Sequence, residues 1–198
     1  LYAQGMARRE TERCMVRLRW LGKRGADGNR QEWGRASRIS NAIFSEVVAA
    51  HVGAGEPPIT TGNAGEFAMT MASALEVDWT SRYGAESFLL LQYLETAIEQ
   101  GDDAPAAEII QILTASDHCH TQKPDDHIAR IIHQSLLPLT QSTLTNDRLS
   151  ARIEPYLEPP TGEGSRSYSR YPSVASAGSA RARDVFREFL AESQPVRI

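Results

Sequence analysis

Between residues 39 and 153 apolar side chains return every three or four positions, and that period limits what the chain can fold into more than any motif does. Ile39, Ile43 and Val47, flanked by Phe44 and Val48, form one apolar helix face, which Gly53, Gly55 and Pro57-Pro58 terminate. Asn63, three residues before Glu66, has the spacing of a capping pair ahead of Phe67, Met71 and Leu75. Phe88 to Leu94 is apolar nearly all round, continues to Ile98 and ends at Gly101, which predicts a central buried helix. Asp103 followed by Pro105 opens a helix carrying Ile109, Ile110, Ile112 and Leu113. Asp125 or Asp126 caps another with Ile128, Ile131, Ile132 and Leu136, halted by Pro138, and Asn146 starts a short one through Leu149 and Ile153, limited by Pro155. No βαβ alternation or repeat interrupts the series. The expected fold class is therefore all-α, a single bundle of five or six helices.

The flanks of that core differ from it. Residues 1–40 carry 10 basic and 4 acidic side chains, residues 41–127 carry 2 basic (Arg82, Lys123) and 14 acidic, and residues 128–198 carry 9 and 7, within a net charge of −4. Segregation of this kind describes an acidic body with a basic arm, which concentrates an attractive field for an acidic partner. From Arg8 to Trp20 the period is ambiguous. Val16, Leu18 and Trp20 alternate with Arg17 and Arg19 as in a strand, while Arg9, Arg13 and Arg17 recur every four residues as in a helix. Leu1-Tyr2-Ala3-Gln4-Gly5, ahead of Met6, resembles the tobacco etch protease cleavage site with Ala3 in place of Phe, which reads as a tag remnant. Glu158 to Gly178 holds 5 Ser, 3 Gly and 3 Pro in 21 residues, the composition of a linker. Beyond it, Ser179 caps an amphipathic helix with Val185, Phe186, Phe189 and Leu190 on one side, a docking or assembly element. The expected organisation is an N-terminal arm at 1–34, a helical core at 35–157, a linker at 158–178 and a docking helix at 179–198.

Several function classes are excluded. The longest apolar runs fall far short of the roughly 20 residues of a membrane-spanning helix. Two cysteines, Cys14 and Cys119, are too few for a disulfide scaffold, which points to a reducing setting, cytoplasmic or virion. Gly-x-Ser-x-Gly, phosphate-cradling Gly-rich loops and dinucleotide fingerprints are missing. Asp117-His118-Cys119-His120, followed by Asp125, Asp126, His127 and His133, gathers four of the five histidines in 16 residues. His118 and His120 diverge on a helix, and no Cys-x-x-Cys or His-Glu-x-x-His accompanies them, so the cluster reads as a polar inter-helix loop. In the arm, Arg17, Arg19, Lys23, Arg24, Arg30, Arg35 and Arg38, with Trp20 and Trp33 interleaved, have the chemistry of phosphate contact plus base stacking.

The expectation is a non-enzymatic helical subunit of a larger assembly, such as a coat or nucleocapsid protein or a small ribonucleoprotein subunit. It would be a homo-oligomer or part of a multi-subunit complex, touch RNA, DNA or an acidic partner through the arm, and need no membrane, metal or cofactor. The alternative is a metal-dependent enzyme centred on His118, His120 and Asp125. A second alternative comes from a resemblance. A helix, Thr60-Thr61, a helix, then Arg82-Tyr83-Gly84 entering a long apolar helix resembles the DNA-binding end of TetR-type repressors. That resemblance implies a helix-turn-helix regulator whose recognition stretch is Ala74 to Ser81, with Glu76 and Asp78 and no basic residue.

Overall fold

A computed structural model of the chain describes residues 1–24, 27–31, 34–52, 55, 57–80, 82–99, 107–119, 123–158 and 170–171, with the backbone alone at Leu21, Lys23, Gln31, His118, Cys119, Arg170 and Tyr171. It is a mixed α/β fold, not the expected all-α bundle. In chain order the elements are α1 (Tyr2–Met6), β1 (Cys14–Arg24), β2 (Arg30–Gln31), α2 (Arg35–His51), β3 (Glu66–Met69), α3 (Met71–Glu76), β4 (Trp79–Thr80), α4 (Gly84–Glu99), β5 (Glu108–Cys119), α5 (Asp125–Leu136), α6 (Asp147–Ile153) and β6 (Arg170–Tyr171).

The strand β1 organises the rest. Along one edge it pairs in parallel with β5, from Cys14 opposite Glu108 to Arg24 opposite Cys119, with a bulge in β5 where Trp20 faces Thr114 and Gly22 faces Asp117. Along the other edge it pairs antiparallel with β3, from Met15 opposite Met69 to Leu18 opposite Glu66, and then with β2 through Lys23 and Arg24. Residues expected in a solvated basic arm therefore form the centre of the sheet. The error has a physical origin: alternation of Val16, Leu18 and Trp20 with Arg17 and Arg19 reads as a strand with one solvated basic face, whereas both faces are covered and the arginines are satisfied inside the fold. Cys14, Met15, Val16, Arg17 and Leu18 are all buried.

The same ambiguity misplaced Ile109, Ile110, Ile112 and Leu113. A run of β-branched residues fits a pleated strand, and at this length its spacing also fits a helix. It is β5. Asn63 and Glu66 do not cap a helix either. Glu66 opens β3, and the cap of α3 is Thr70, whose Oγ1 accepts from the Ser73 N–H at 3.4 Å. Ala74 to Ser81 holds the end of α3 and the strand β4, which pairs with β6, so no recognition helix occupies that stretch among its described residues.

Four helices follow their sequence periodicity. Phe44, Ile43, Val47 and Val48 of α2, Leu90, Leu91 and Leu94 of α4, Ile131, Ile132 and Leu136 of α5, and Leu149 and Ile153 of α6 build the larger core with Leu139 and Leu144. Asn146 caps α6, its Oδ1 accepting from the Leu149 N–H at 3.0 Å. A smaller core of Met15, Val77, Leu89 and Tyr93 joins β1 to α4. On the opposite face of the sheet lies α1, whose Gly5 is buried so closely that a Cβ there would lie 2.6 Å from Val16 Cγ1. Among the described residues no helix is long and apolar enough to cross a membrane. Of the segment read as a linker and docking helix, Arg170 and Tyr171 pair with β4, and Val185, Phe186, Phe189 and Leu190 lie outside the described residues.

Candidate functional site

Side chains at odd positions of β1 face the helical layer, and two of them are arginines. Arg17 is fully buried. Its Nε and Nη2 donate to Thr61 O at 3.2 and 2.7 Å, Nη2 to Ala64 O at 3.2 Å, and Nη1 to Glu86 O at 2.9 Å. Arg19 donates through Nη1 to Ser37 Oγ at 2.6 Å and through Nη2 to Asn63 Oδ1 at 2.8 Å. Burial pushes the Arg17 guanidinium down to about 9, opposed by Glu86, and the Arg19 guanidinium down to about 10. Both stay charged at neutral pH.

What the arginines hold is the connection from α2 to β3, residues 58–65. Gln111, opposite Arg17 on β5, grips its start: Oε1 accepts from the Thr60 N–H at 2.8 Å and from both Thr60 and Thr61 hydroxyls, and Nε2 donates to Pro58 O. From α2, Asn41 donates to Thr60 O and accepts the Gly62 N–H at 2.8 Å. From α4, Ser87 Oγ donates to Gly62 O at 3.0 Å. Gly62 presses onto α2, where a Cβ would lie 3.0 Å from the Ser40 carbonyl carbon. Among the described residues β1, β5, α2 and α4 are each bonded to this loop, so its shape is fixed.

The loop leads to a cluster of ionisable groups at the start of α4. A Cβ on Gly65 would sit 3.1 Å from Glu86 Oε1, so the carboxylate lies against the glycine. Burial pushes the Glu86 carboxyl up, while Arg17 and Lys123 pull it down. Lys123 Nζ stands 6.0 Å above the Tyr83 ring, and Tyr83 Oη pairs with His127 Nε2 at 3.2 Å, the two rings edge to face at 5.5 Å. Just before them, Arg82 takes a left-handed φ of 67°, a conformation that costs a side-chain-bearing residue roughly 1–2 kcal/mol. Gly84 follows, packed so tightly that a Cβ would meet Gln134 O at 2.8 Å. The small-residue loop thus meets a carboxylate at Gly65, and the ammonium whose charge acts on that carboxylate stands over a phenol paired with an imidazole. Such a set can hold a substrate that carries both anions and hydroxyls.

The residues expected to bind nucleic acid fall elsewhere. Arg17 and Arg19 lie inside the fold. Trp20 donates its indole N–H to Glu66 Oε1 at 3.2 Å. Arg24 and Arg30 converge on Asp117, at 3.0 and 3.1 Å. Arg35 and Arg38 are exposed on the first turn of α2. Lys23 faces Gln31 in the ladder, and Trp33 lies outside the described residues. Of the cluster considered for a metal, Asp117 is engaged by the two arginines, the side chains of His118, Cys119 and His120 lie outside the described set, and Asp125 opens α5. Among the described residues no three His, Cys, Asp or Glu side chains gather as a metal ion would require. Reading by sequence missed Gly62, Gly65, Tyr83, Glu86 and Lys123. The available signal was that Arg82 and Lys123, the only two cations between residues 41 and 127, both fall here.

Comparison with known proteins gives these residues a family. The sequence pattern of mannosyl-3-phosphoglycerate synthase matches residues 1–190. The chain is 28% identical over 202 residues to the mannosyl-3-phosphoglycerate synthase of Aeropyrum pernix, covering 98% of this chain and 51% of that protein. To that of Pyrococcus furiosus it is 30% identical over 162 residues, covering 77% and 41%. It therefore spans about half the length of the curated relatives it matches. A crystal structure of glucosyl-3-phosphoglycerate synthase from Mycobacterium tuberculosis, in complex with Mn2+, uridine-diphosphate-glucose and phosphoglyceric acid, superposes with a TM-score of 0.43 and 16% identity, covering 86% of this chain and 50% of that one. An enzyme family matched along nearly the whole sequence overturns the expectation of a non-enzymatic coat or ribonucleoprotein subunit. With it go the RNA or DNA partner, the place as a subunit of a coat or ribonucleoprotein assembly and the helix-turn-helix regulator. With residues 1–190 of its 198 accounted for, the chain belongs to the mannosyl-3-phosphoglycerate synthase family.

Proposed function

We propose that this chain carries the substrate-binding part of a glycosyltransferase that moves a mannosyl group from a sugar nucleotide to 3-phosphoglycerate. The observation that carries the reading is the Glu86 carboxylate lying against Gly65 at the end of the fixed loop, with Lys123, which acts on its charge, standing over Tyr83. 3-Phosphoglycerate offers a phosphate at one end, a carboxylate at the other and a single free hydroxyl, on C2. In the transfer, the bond from mannose C1 to the nucleoside diphosphate breaks, a bond from C1 to that hydroxyl oxygen forms, and the hydroxyl proton is released. Both substrates are polyanions, and the leaving group gains negative charge as the bond breaks, so cations at the site favour binding and the transition state together. Lys123 and Arg82 supply them. A phosphate beside Glu86 would be repelled, so this carboxylate serves the hydroxyl-bearing part of the substrates and accepts hydrogen bonds from sugar hydroxyls. Backbone at Gly62 to Gly65 comes close to a ligand because no side chain stands in the way. Tyr83, held by His127, keeps Lys123 over its ring and thereby near the site.

The test is calorimetric titration of the protein with 3-phosphoglycerate. The wild-type chain binds it, glycerate without the phosphate binds far more weakly, and Lys123→Ala loses about tenfold in affinity, the size of one charged hydrogen bond. No binding by the wild-type chain, or binding that Lys123→Ala leaves unchanged, overturns the reading.

A further inference from the structure

Arg17 has no contact with solvent, so it cannot touch a substrate. Its hydrogen bonds to backbone all end on carbonyl oxygens, and these belong to two segments: Thr61 O and Ala64 O in the loop, and Glu86 O in the first turn of α4. A buried charge is a poor way to gain stability, because taking a cation out of water costs more than packing an apolar side chain of the same volume. The guanidinium offers what an apolar residue or a lysine cannot. Its planar, rigid fork fixes two acceptors relative to each other, whereas an ammonium on a flexible stem holds each separately. Here the two acceptor segments are those that bring Gly65 so close to the Glu86 carboxylate that a Cβ added there would lie 3.1 Å from Oε1. Of the other ties among the described residues, only Ser87 also joins α4 to the loop, by one hydroxyl bond at Gly62 O, three residues short of Gly65, and Arg19 holds Asn63 from β1. Gln111 and Asn41 hold its start.

We infer that Arg17 is a positioning residue: it sets the distance between the loop and the Glu86 carboxylate, and so the fit of the acceptor, from beneath the site. This deepens the reading of the loop as the 3-phosphoglycerate site and rests on it. The experiment compares Arg17→Ala and Arg17→Lys with wild type by two measurements. One is the amide resonance positions of Gly62, Gly65 and Ser87 in a nitrogen-15 correlation spectrum. The other is 3-phosphoglycerate affinity by calorimetry. In Arg17→Ala the three amides shift together and affinity falls about tenfold or more, and millimolar guanidinium, seated in the vacated space, restores both where methylammonium restores neither. Arg17→Lys keeps the charge, loses the fork, and behaves as Arg17→Ala without rescue. Unmoved amides, rescue by methylammonium as good as by guanidinium, or a lysine variant with wild-type amides and affinity each overturn the inference. If Arg17→Ala does not fold, the lysine variant decides by the same criteria. Should wild type bind no 3-phosphoglycerate, the substrate reading fails by itself, and the amide shifts with their guanidinium rescue still decide whether Arg17 positions the loop.

Discussion

Two glycines three positions apart give opposite outcomes when each is changed to alanine. At Gly62 the new methyl group would lie 3.0 Å from the Ser40 carbonyl carbon and 3.1 Å from both Asn41 N and Ser40 O, all backbone of α2. Backbone in the middle of a packed helix cannot yield, so the loop must lift by several tenths of an ångström. That motion stretches the 2.8 Å bond from Gly62 N–H to Asn41 and the 3.0 Å bond from Ser87 to Gly62 O. Overpacking of this kind costs typically 1–3 kcal/mol. For a chain of this size about 2 kcal/mol lowers the melting temperature by roughly 4–8 °C. At Gly65 the methyl group would meet only Glu86 Oε1, at 3.1 Å, the far end of a side chain that can rotate away. Gly65→Ala therefore melts close to wild type but displaces the carboxylate and weakens 3-phosphoglycerate binding. Differential scanning fluorimetry with parallel calorimetry measures both. A Gly62→Ala chain that melts with wild type, or a Gly65→Ala chain that loses as much stability as Gly62→Ala, refutes the reasoning.

Glu86→Gln separates charge from shape. Because burial raises the folded-state carboxyl above its usual 4.5, the ionised form is disfavoured by folding. Wild type and Glu86→Gln should be equally stable below that pH, and wild type should fall behind as pH rises through the folded-state value, as pH-resolved urea melts will show. If sugar hydroxyls bind the carboxylate, the acid limb of donor binding lies above 4.5 in wild type and vanishes in Glu86→Gln. Phe44→Ala, in the fully buried centre of the helical core, costs about 3–5 kcal/mol in urea titration. Asp117→Asn removes the shared partner of Arg24 and Arg30, whose side chains are about half exposed, and costs under about 1 kcal/mol, less still in high salt.

The helices α2, α5 and α6 could be read in advance because local signals decide them: a 3.6-residue period, stop residues such as Pro138, and a cap such as Asn146. The sheet could not. The pairing of β1 with β5 joins residues about ninety positions apart, and nothing local in either strand specifies it. Val16 sits under α1 while Met15, Arg17 and Arg19 face the helical layer, so both faces are buried, and the basic half of the alternation, which marks a solvated face in an ordinary strand, here points inward. Arginine was the most misleading residue. Summed along the chain, Arg17 and Arg19 add to a basic arm, but folding removes both from the surface and turns them into the scaffold of a loop. The site itself was hidden for a related reason. Thr61-Gly62-Asn63-Ala64-Gly65 has no catalytic side chain, and Glu86 and Lys123 are separated by 37 positions. Only the chain's path over the sheet makes them neighbours.

That juxtaposition is best examined by a crystal structure of the protein with 3-phosphoglycerate bound. The phosphate should lie within hydrogen-bond reach of Lys123 Nζ, with the ligand against Gly62 to Gly65 and the Glu86 carboxylate facing a hydroxyl rather than the phosphate. Density for the ligand elsewhere, with this loop and Lys123 untouched, would show that the loop held by Arg17 is not where the acceptor binds.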